Sequence, residues 1–182
     1  MKHPIPMTIK LLVMIAVTAM TVTACQSEPK NAKPMETSND KPITPTEKVE
    51  KTDAEWKAQL TPEQYRVARK SGTEAPNGKV YKQFKAQGAG TYFCIGCGAE
   101  LFSSKEKFDS RCGWPSFYDP AKAKNVTTKA DYSAGSVRTE VNCAKCDAHL
   151  GHVFKGEGFN TPTDKRYCIN GIVLKFVPDK KK

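Results

Sequence analysis

The sequence predicts a mainly β domain, antiparallel and accompanied by a few peripheral short helices, on three observations. The apolar period is two in "GSVRTEV" and "IVLKFV". From Tyr92 onward, runs of this kind are separated by loops carrying Gly, Asn and Asp. A helix signature stands ahead of them, in "LTPEQYRVARK".

The chain does not begin as a domain. Lys2 and Lys10 precede the uncharged run "LLVMIAVTAMTVTA", Leu11 to Ala24, which reads as the basic region and apolar core of an export signal. It is shorter than the roughly 20 apolar residues a membrane-spanning helix needs, and polar sequence follows it. "VTAC" resembles the lipobox of bacterial lipoproteins, which implies lipid on Cys25 and a chain exported and anchored to a bacterial membrane, facing the periplasm or cell exterior. Cleavage after Ala24 without lipid is the alternative. Residues 25–52 are crowded with Pro, Lys, Glu, Ser and Thr, and such a segment cannot offset its ordering entropy by burial. They are expected to be a disordered tether, and residues 53–182 the folded domain, large enough for one modest core.

Formal charge is +10, and loss of residues 1–24 removes two lysines and no acid, leaving +8. The surplus lies in scattered lysines without interleaved aromatics, so a solvated basic face is expected and nucleic acid is not an expected partner. A monomer is expected.

Within the domain, Thr61 is placed to cap a helix with Pro62 at its first position and Gln64 three residues on, a capping-box arrangement. Leu60 and Tyr65 are spaced for the accompanying staple, Gly72 ends the helix, and "GTEAPNGKVY" reads as a turn-rich link. Farther on, Val137, Thr139 and Val141 alternate with Ser136, Arg138 and Glu140; Ile172, Leu174 and Phe176 alternate with Val173, Lys175 and Val177.

Six cysteines remain after Cys25. Cys94 and Cys97 in "CIGC", with Cys143 and Cys146 in "CAKC", form two Cys-x-x-Cys knuckles, which together supply the tetrahedral thiolate shell of a closed structural zinc site, one Zn2+ per chain. Disulfides or iron on the same sulfurs are the alternatives. A redox pair would want its first cysteine at a helix start, which neither knuckle offers. Cys112 in "SRCGWPSFY" and Cys168 in "RYCING" belong to no pair. Trp114 beside a Gly-Pro turn reads as core or as pocket wall. His149 and His152 are redundant as zinc ligands beside four cysteines but have the right chemistry to move protons near neutral pH.

The stretches "LTPEQYRVARKSGTE", "CGAELFSSKEKFDSRCGWPSF", "RTEVNCAKCDAHLGHVF" and "RYCIN" resemble, in order, the signature blocks of the methionine-R-sulfoxide reductases, the B-type enzymes. The resemblance runs from Leu60 to about Val177. It implies two small antiparallel sheets with peripheral helices, structural zinc, and reduction of methionine-R-sulfoxide in proteins, peptides or free form, with a thioredoxin-like dithiol as reductant. It implies Cys168 as nucleophile, Cys112 as resolving cysteine, Trp114 against the substrate methyl group, and His149, His152, Arg166 and Asn170 around the sulfoxide.

Chemistry fits these residue types. A sulfoxide sulfur becomes electrophilic when its oxygen is hydrogen-bonded, so a thiolate and a proton donor are required. Arg166 and a nearby histidine are expected to favour the Cys168 thiolate. Positions 166, 168 and 170 share one face of a strand. Gly171 after Asn170, Asn77 in the link and the 155–165 loop depart from the family's commonest forms. A thiol oxidoreductase acting on protein disulfides, or a zinc-stabilised binding module, are the other readings.

Overall fold

The computed structural model describes residues 48–180. The export segment 1–24, Cys25 and the tether as far as residue 47 lie outside the described residues.

Two capping boxes open the helical part of the chain. Thr52 caps α1 (Asp53–Gln59), with Glu55 returning the bond to the Thr52 N–H, and Thr61 caps α2 (Pro62–Lys70), with Gln64 in the same role. Ser71, in the left-handed region at φ 51°, ends α2. The expected helix is therefore present, while α1 and α3 (Lys79–Ala86) were not expected. Helix α1 buries Trp56 as its one core residue, too little for an apolar period to register. Helix α3 lies inside what composition marked as a turn-rich link; it follows Gly78 without a side-chain cap and is held by burial of Tyr81 and Phe84, three apart on one face.

Part of the expected tether also lies against the domain. The Val49 N–H donates to the Lys145 carbonyl at 2.8 Å, its side chain packs on the core, and the Lys48 ammonium donates to the Ala144 carbonyl. Composition reads only what a segment could bury in itself, and these partners are supplied by a turn nearly a hundred residues away.

Eight strands make two antiparallel sheets. Strands β1 (Gly90–Cys94), β2 (Glu100–Ser103) and β8 (Leu174–Pro178) form a three-stranded sheet in the order β2-β1-β8. The other five are β3 (Ser116–Phe117), β4 (Val126–Asp131), β5 (Arg138–Cys143), β6 (His149–Lys155) and β7 (Lys165–Ile169), in the order β3-β7-β6-β5-β4. An aromatic cluster joins the two. Phe117 of the larger sheet stacks on Phe102 of the smaller at 4.5 Å between centroids and meets Tyr92 and Phe84 edge-on at 5.1 and 5.5 Å. Each such buried ring contributes about 2–3 kcal/mol through area alone, so this cluster is a main bond between the sheets.

The expected alternations hold in part. Of Val137, Thr139 and Val141 only Val141 is buried; Val137 lies before β5 and is 67% exposed, and Glu140 and Asn142, on the face expected to meet solvent, are buried. That face carries a polar network rather than water. Gly171–Val173 is a 3-10 turn, and the alternation begins after it, with Leu174 and Phe176 half-buried and Lys175 and Val177 exposed.

Candidate active site and four-cysteine cluster

The two knuckles are one turn built twice. Cys94 N–H donates to the Ala99 carbonyl and Gly98 N–H to the Cys94 carbonyl; Cys143 with Ala148 and Asp147 with Cys143 repeat the pattern. Gly98 and Asp147 occupy the left-handed position this turn requires, at φ 71° and 56°. The first knuckle joins β1 to β2 and the second β5 to β6, so each sheet contributes two thiols. The four sulfurs lie within 4.8 Å of one another, with Cys94 to Cys146 at 3.7 Å and Cys97 to Cys143 at 3.5 Å. A tetrahedron with metal–sulfur bonds of about 2.3 Å has edges of about 3.8 Å, whereas a disulfide needs about 2.05 Å. The geometry is that of a metal-binding shell. Hydrogen bonds within it, that of Cys146 first, draw the Cys143 thiol far below its usual range, while Cys143 pushes Cys94 up.

Cys168 sits near the end of β7, between β3 and β6, where Ser116 and His152 are its register partners. Cys112 lies in the loop before β3 and brings its Sγ to 3.7 Å from that of Cys168. Spacing of 56 residues gave no hint of this meeting. The two thiols are within hydrogen-bonding reach of each other. Cys112 is lowered to about 4, first by its hydrogen bond with Cys168, with the Ser110 and Ser116 hydroxyls adding. Cys168 is pushed up by the same hydrogen bond and by burial. Arg166 does pull Cys168 down, as expected, but it is outweighed.

A cavity of about 130 Å³ opens beside Cys168, lined by Thr73, Trp114, Arg138, Gly151, His152, Phe154 and Asn170. Of the residues singled out in the sequence, Cys168, Trp114, His152 and Asn170 reach it. His149 and Arg166 do not. His149 is buried, its Nδ1 2.5 Å from Glu140 Oε1, and burial lowers its pKa against the pull of that carboxylate. Glu140 in turn, although pushed up by burial, is held below the usual carboxylate range by His149, Asn142 and Lys129. Arg166 points its guanidinium at Glu157 in a two-pronged contact of 2.7 and 2.8 Å and lies over the Phe154 ring. The expected shared face of Arg166, Cys168 and Asn170 thus carries only the last two into the cavity.

Sequence reasoning missed the acids that orient these groups. Asp131 Oδ2 is 2.7 Å from His152 Nε2 and accepts both Nε and Nη2 of Arg138, which lines the cavity. The Ser133 hydroxyl and N–H, ahead of His152 and Arg138, hold this carboxyl well below its usual range. Asp131 and Arg138 are cross-strand register partners in the β4–β5 hairpin. Opposite charges flanking "YSAGSV" were the available signal. Gly151 is required by close approach: a Cβ there would stand 2.1 Å from the Cys168 carbonyl oxygen.

The arrangement offers an apolar wall, a donor set and a thiol pair able to close into a disulfide. The family described as the SelR domain matches residues 60–178. A peptide methionine sulfoxide reductase MsrB of Leifsonia xyli subsp. xyli is 52% identical over 132 residues, covering 72% of this chain and 92% of that protein. One named MsrB from Pseudomonas fluorescens (strain Pf0-1) is 54% identical over 132 residues, 72% of this chain and 98% of its own. The Arabidopsis thaliana protein named peptide methionine sulfoxide reductase B7 is 49% identical over 135 residues, 74% of this chain and 90% of its own.

Proposed function

We infer the reaction from the family: this chain belongs to the SelR-domain family of MsrB-type peptide methionine sulfoxide reductases, and it reduces methionine-R-sulfoxide by cysteine redox chemistry. For the individual residues we propose the following course, which the 3.7 Å approach of Cys112 and Cys168 beside the cavity supports. The substrate methyl group rests on Trp114, and the sulfoxide oxygen accepts from Nδ1–H of His152, whose other ring N–H, on Nε2, donates to Asp131. Proton transfer from Cys168 to Cys112 leaves a thiolate on Cys168 that attacks the sulfoxide. The sulfur–oxygen bond of the substrate breaks, methionine leaves with two more electrons, and the oxygen passes to Cys168 with the proton donated by His152, as a sulfenic acid. Cys112 then attacks that sulfur, a disulfide forms and water departs; a thioredoxin-like dithiol restores both thiols by exchange. His149 is tied to Glu140 and Arg166 to Glu157, and Arg166 acts on the Cys168 thiol, favouring its thiolate, rather than on the substrate. Zn2+ is the proposed occupant of the four-cysteine shell, because four thiolates at tetrahedral spacing suit it and leave no open position for catalysis.

Single-turnover chemistry tests these assignments. Cys168→Ser is expected to abolish methionine release, a hydroxyl being a far poorer nucleophile near neutral pH. Cys112→Ser is expected to release about one equivalent of methionine and then stall with a thioredoxin-like donor. Full activity in Cys168→Ser would remove it as nucleophile.

The amino-terminal reading supports a second proposal: export, lipid on Cys25 and a catalytic domain held to a membrane by the 25–52 segment, facing the periplasm or exterior. Cys25→Ala is expected to release the protein from the membrane fraction or leave its precursor uncleaved. Unchanged fractionation and amino-terminal mass would reject it.

A further inference from the structure

Glu74 is a buried carboxylate that neither the thiol pair nor the cysteine cluster uses. Its carboxylate meets backbone N–H groups. Oε1 accepts the N–H of Gly171 at 2.7 Å and Oε2 that of Ile172 at 2.9 Å, the first two residues of the 3-10 turn that follows β7. Its backbone is engaged as fully. The Glu74 N–H donates to Oδ1 of Asn170 at 2.9 Å, and its carbonyl accepts Nε1–H of Trp114 at 3.0 Å. The preceding residue, Thr73, lines the cavity, as Trp114 and Asn170 do.

One residue thus ties three segments that sequence separates by 40 and 96 positions. Its side chain clamps the 3-10 turn, and the clamp holds its backbone where the indole and the amide can both reach it. A merely structural tie needs the first contact pair. The second pair sets the distance between the apolar wall and the amide, both of which line the cavity beside Cys168. A sulfoxide sulfur is chiral, carrying methyl, side chain, oxygen and a lone pair. An enzyme discriminates its epimers only if methyl site and polar site keep a fixed spacing about the nucleophile, and a displacement of about 1 Å can cost a hundredfold in rate.

We propose that Glu74 is a positioning residue that fixes Trp114 and Asn170 relative to Cys168 and thereby sets substrate affinity and the preference for the R epimer. This deepens the reductase reading and rests on it.

Glu74→Gln keeps the shape but turns an amide NH2 toward one of the two N–H donors, so one bond is lost. In the full chain, KM for methionine-R-sulfoxide is expected to rise about tenfold and the R-over-S preference to fall by a similar factor. Reduction of the Cys112–Cys168 disulfide by dithiothreitol is expected to stay within about twofold, because that step does not use the methyl wall. A variant with unchanged KM and unchanged epimer preference would overturn the proposal, whether or not its Tm falls. If Glu74→Gln does not fold, Glu74→Asp, which keeps the charge and withdraws it by one methylene, is read by the same two quantities. Turnover by the unsubstituted chain is the control: its absence with the R epimer would overturn the reductase reading, and so is distinguishable from a failed role for Glu74.

Discussion

Two sulfurs 3.7 Å apart in a half-buried site do not readily both carry full charge, and Cys112 and Cys168 are placed to share a proton. Cys112 is the one drawn down, to about 4, by Cys168 first and then by hydroxyls. At pH 6 iodoacetamide is therefore expected to alkylate Cys112 readily, followed by mass mapping, whereas Cys168→Ala should move that reactivity up toward the ordinary thiol range. Labelling of Cys112 that is equally pH-dependent with and without Cys168 would show no shared proton. His149 gives a second titration. Burial lowers its folded pKa beneath 6.5, so below that pH the unfolded chain binds the extra proton and stability declines as pH falls from about 6.5 toward the folded value. Denaturant midpoints measured between pH 5 and 7 should fall toward the acid side, and more weakly in His149→Asn.

Among the elements, β7 and its neighbours carry the chemistry. β7 is held between β3 and β6, and its register against β6 sets Cys168 opposite His152. That register depends on Gly151, whose missing Cβ admits the Cys168 carbonyl. Gly151→Ala forces the strands apart, with an expected cost of about 1–3 kcal/mol and a larger loss of activity than of stability. Matched denaturation and turnover measurements check this; normal activity at reduced stability would mean that the register is not set here. The β4–β5 hairpin has the complementary task. Its terminal pair Asp131 and Arg138 holds His152 from the side away from β7.

In the described molecule, two sheets are joined by an aromatic cluster and a four-thiol cluster. Phe117 with Phe102 and Tyr92 serves the first, and the knuckles at the ends of β1 and β5 the second. Because each knuckle belongs to a different sheet, a metal held by all four thiols would link its binding to folding. Chelation under mild denaturant is expected to release about one zinc per chain together with tertiary structure, in one thermal or spectroscopic transition. Cys97→Ser should lower soluble yield. Protein that keeps its near-ultraviolet signal and activity after complete metal loss would show that the aromatic cluster suffices.

Local spacing decided much on its own. Thr61, Pro62 and Gln64 wrote a helix start, and the two Cys-x-x-Cys turns wrote a metal shell, because each depends on atoms a few residues apart. The unpaired thiols and Trp114 were likewise legible by exclusion and by resemblance. The resemblance implied that Cys112 meets Cys168, and tertiary structure decided which of the polar residues join them. It placed Asn170 and His152 in the cavity and turned Arg166 to Glu157 and His149 to Glu140. It also made an acid in the expected link, Glu74, the tie between Trp114 and Asn170. The physical reason is that these contacts are fixed by sheet register and buried hydrogen bonds spanning up to 98 positions, whose partners no local period encodes.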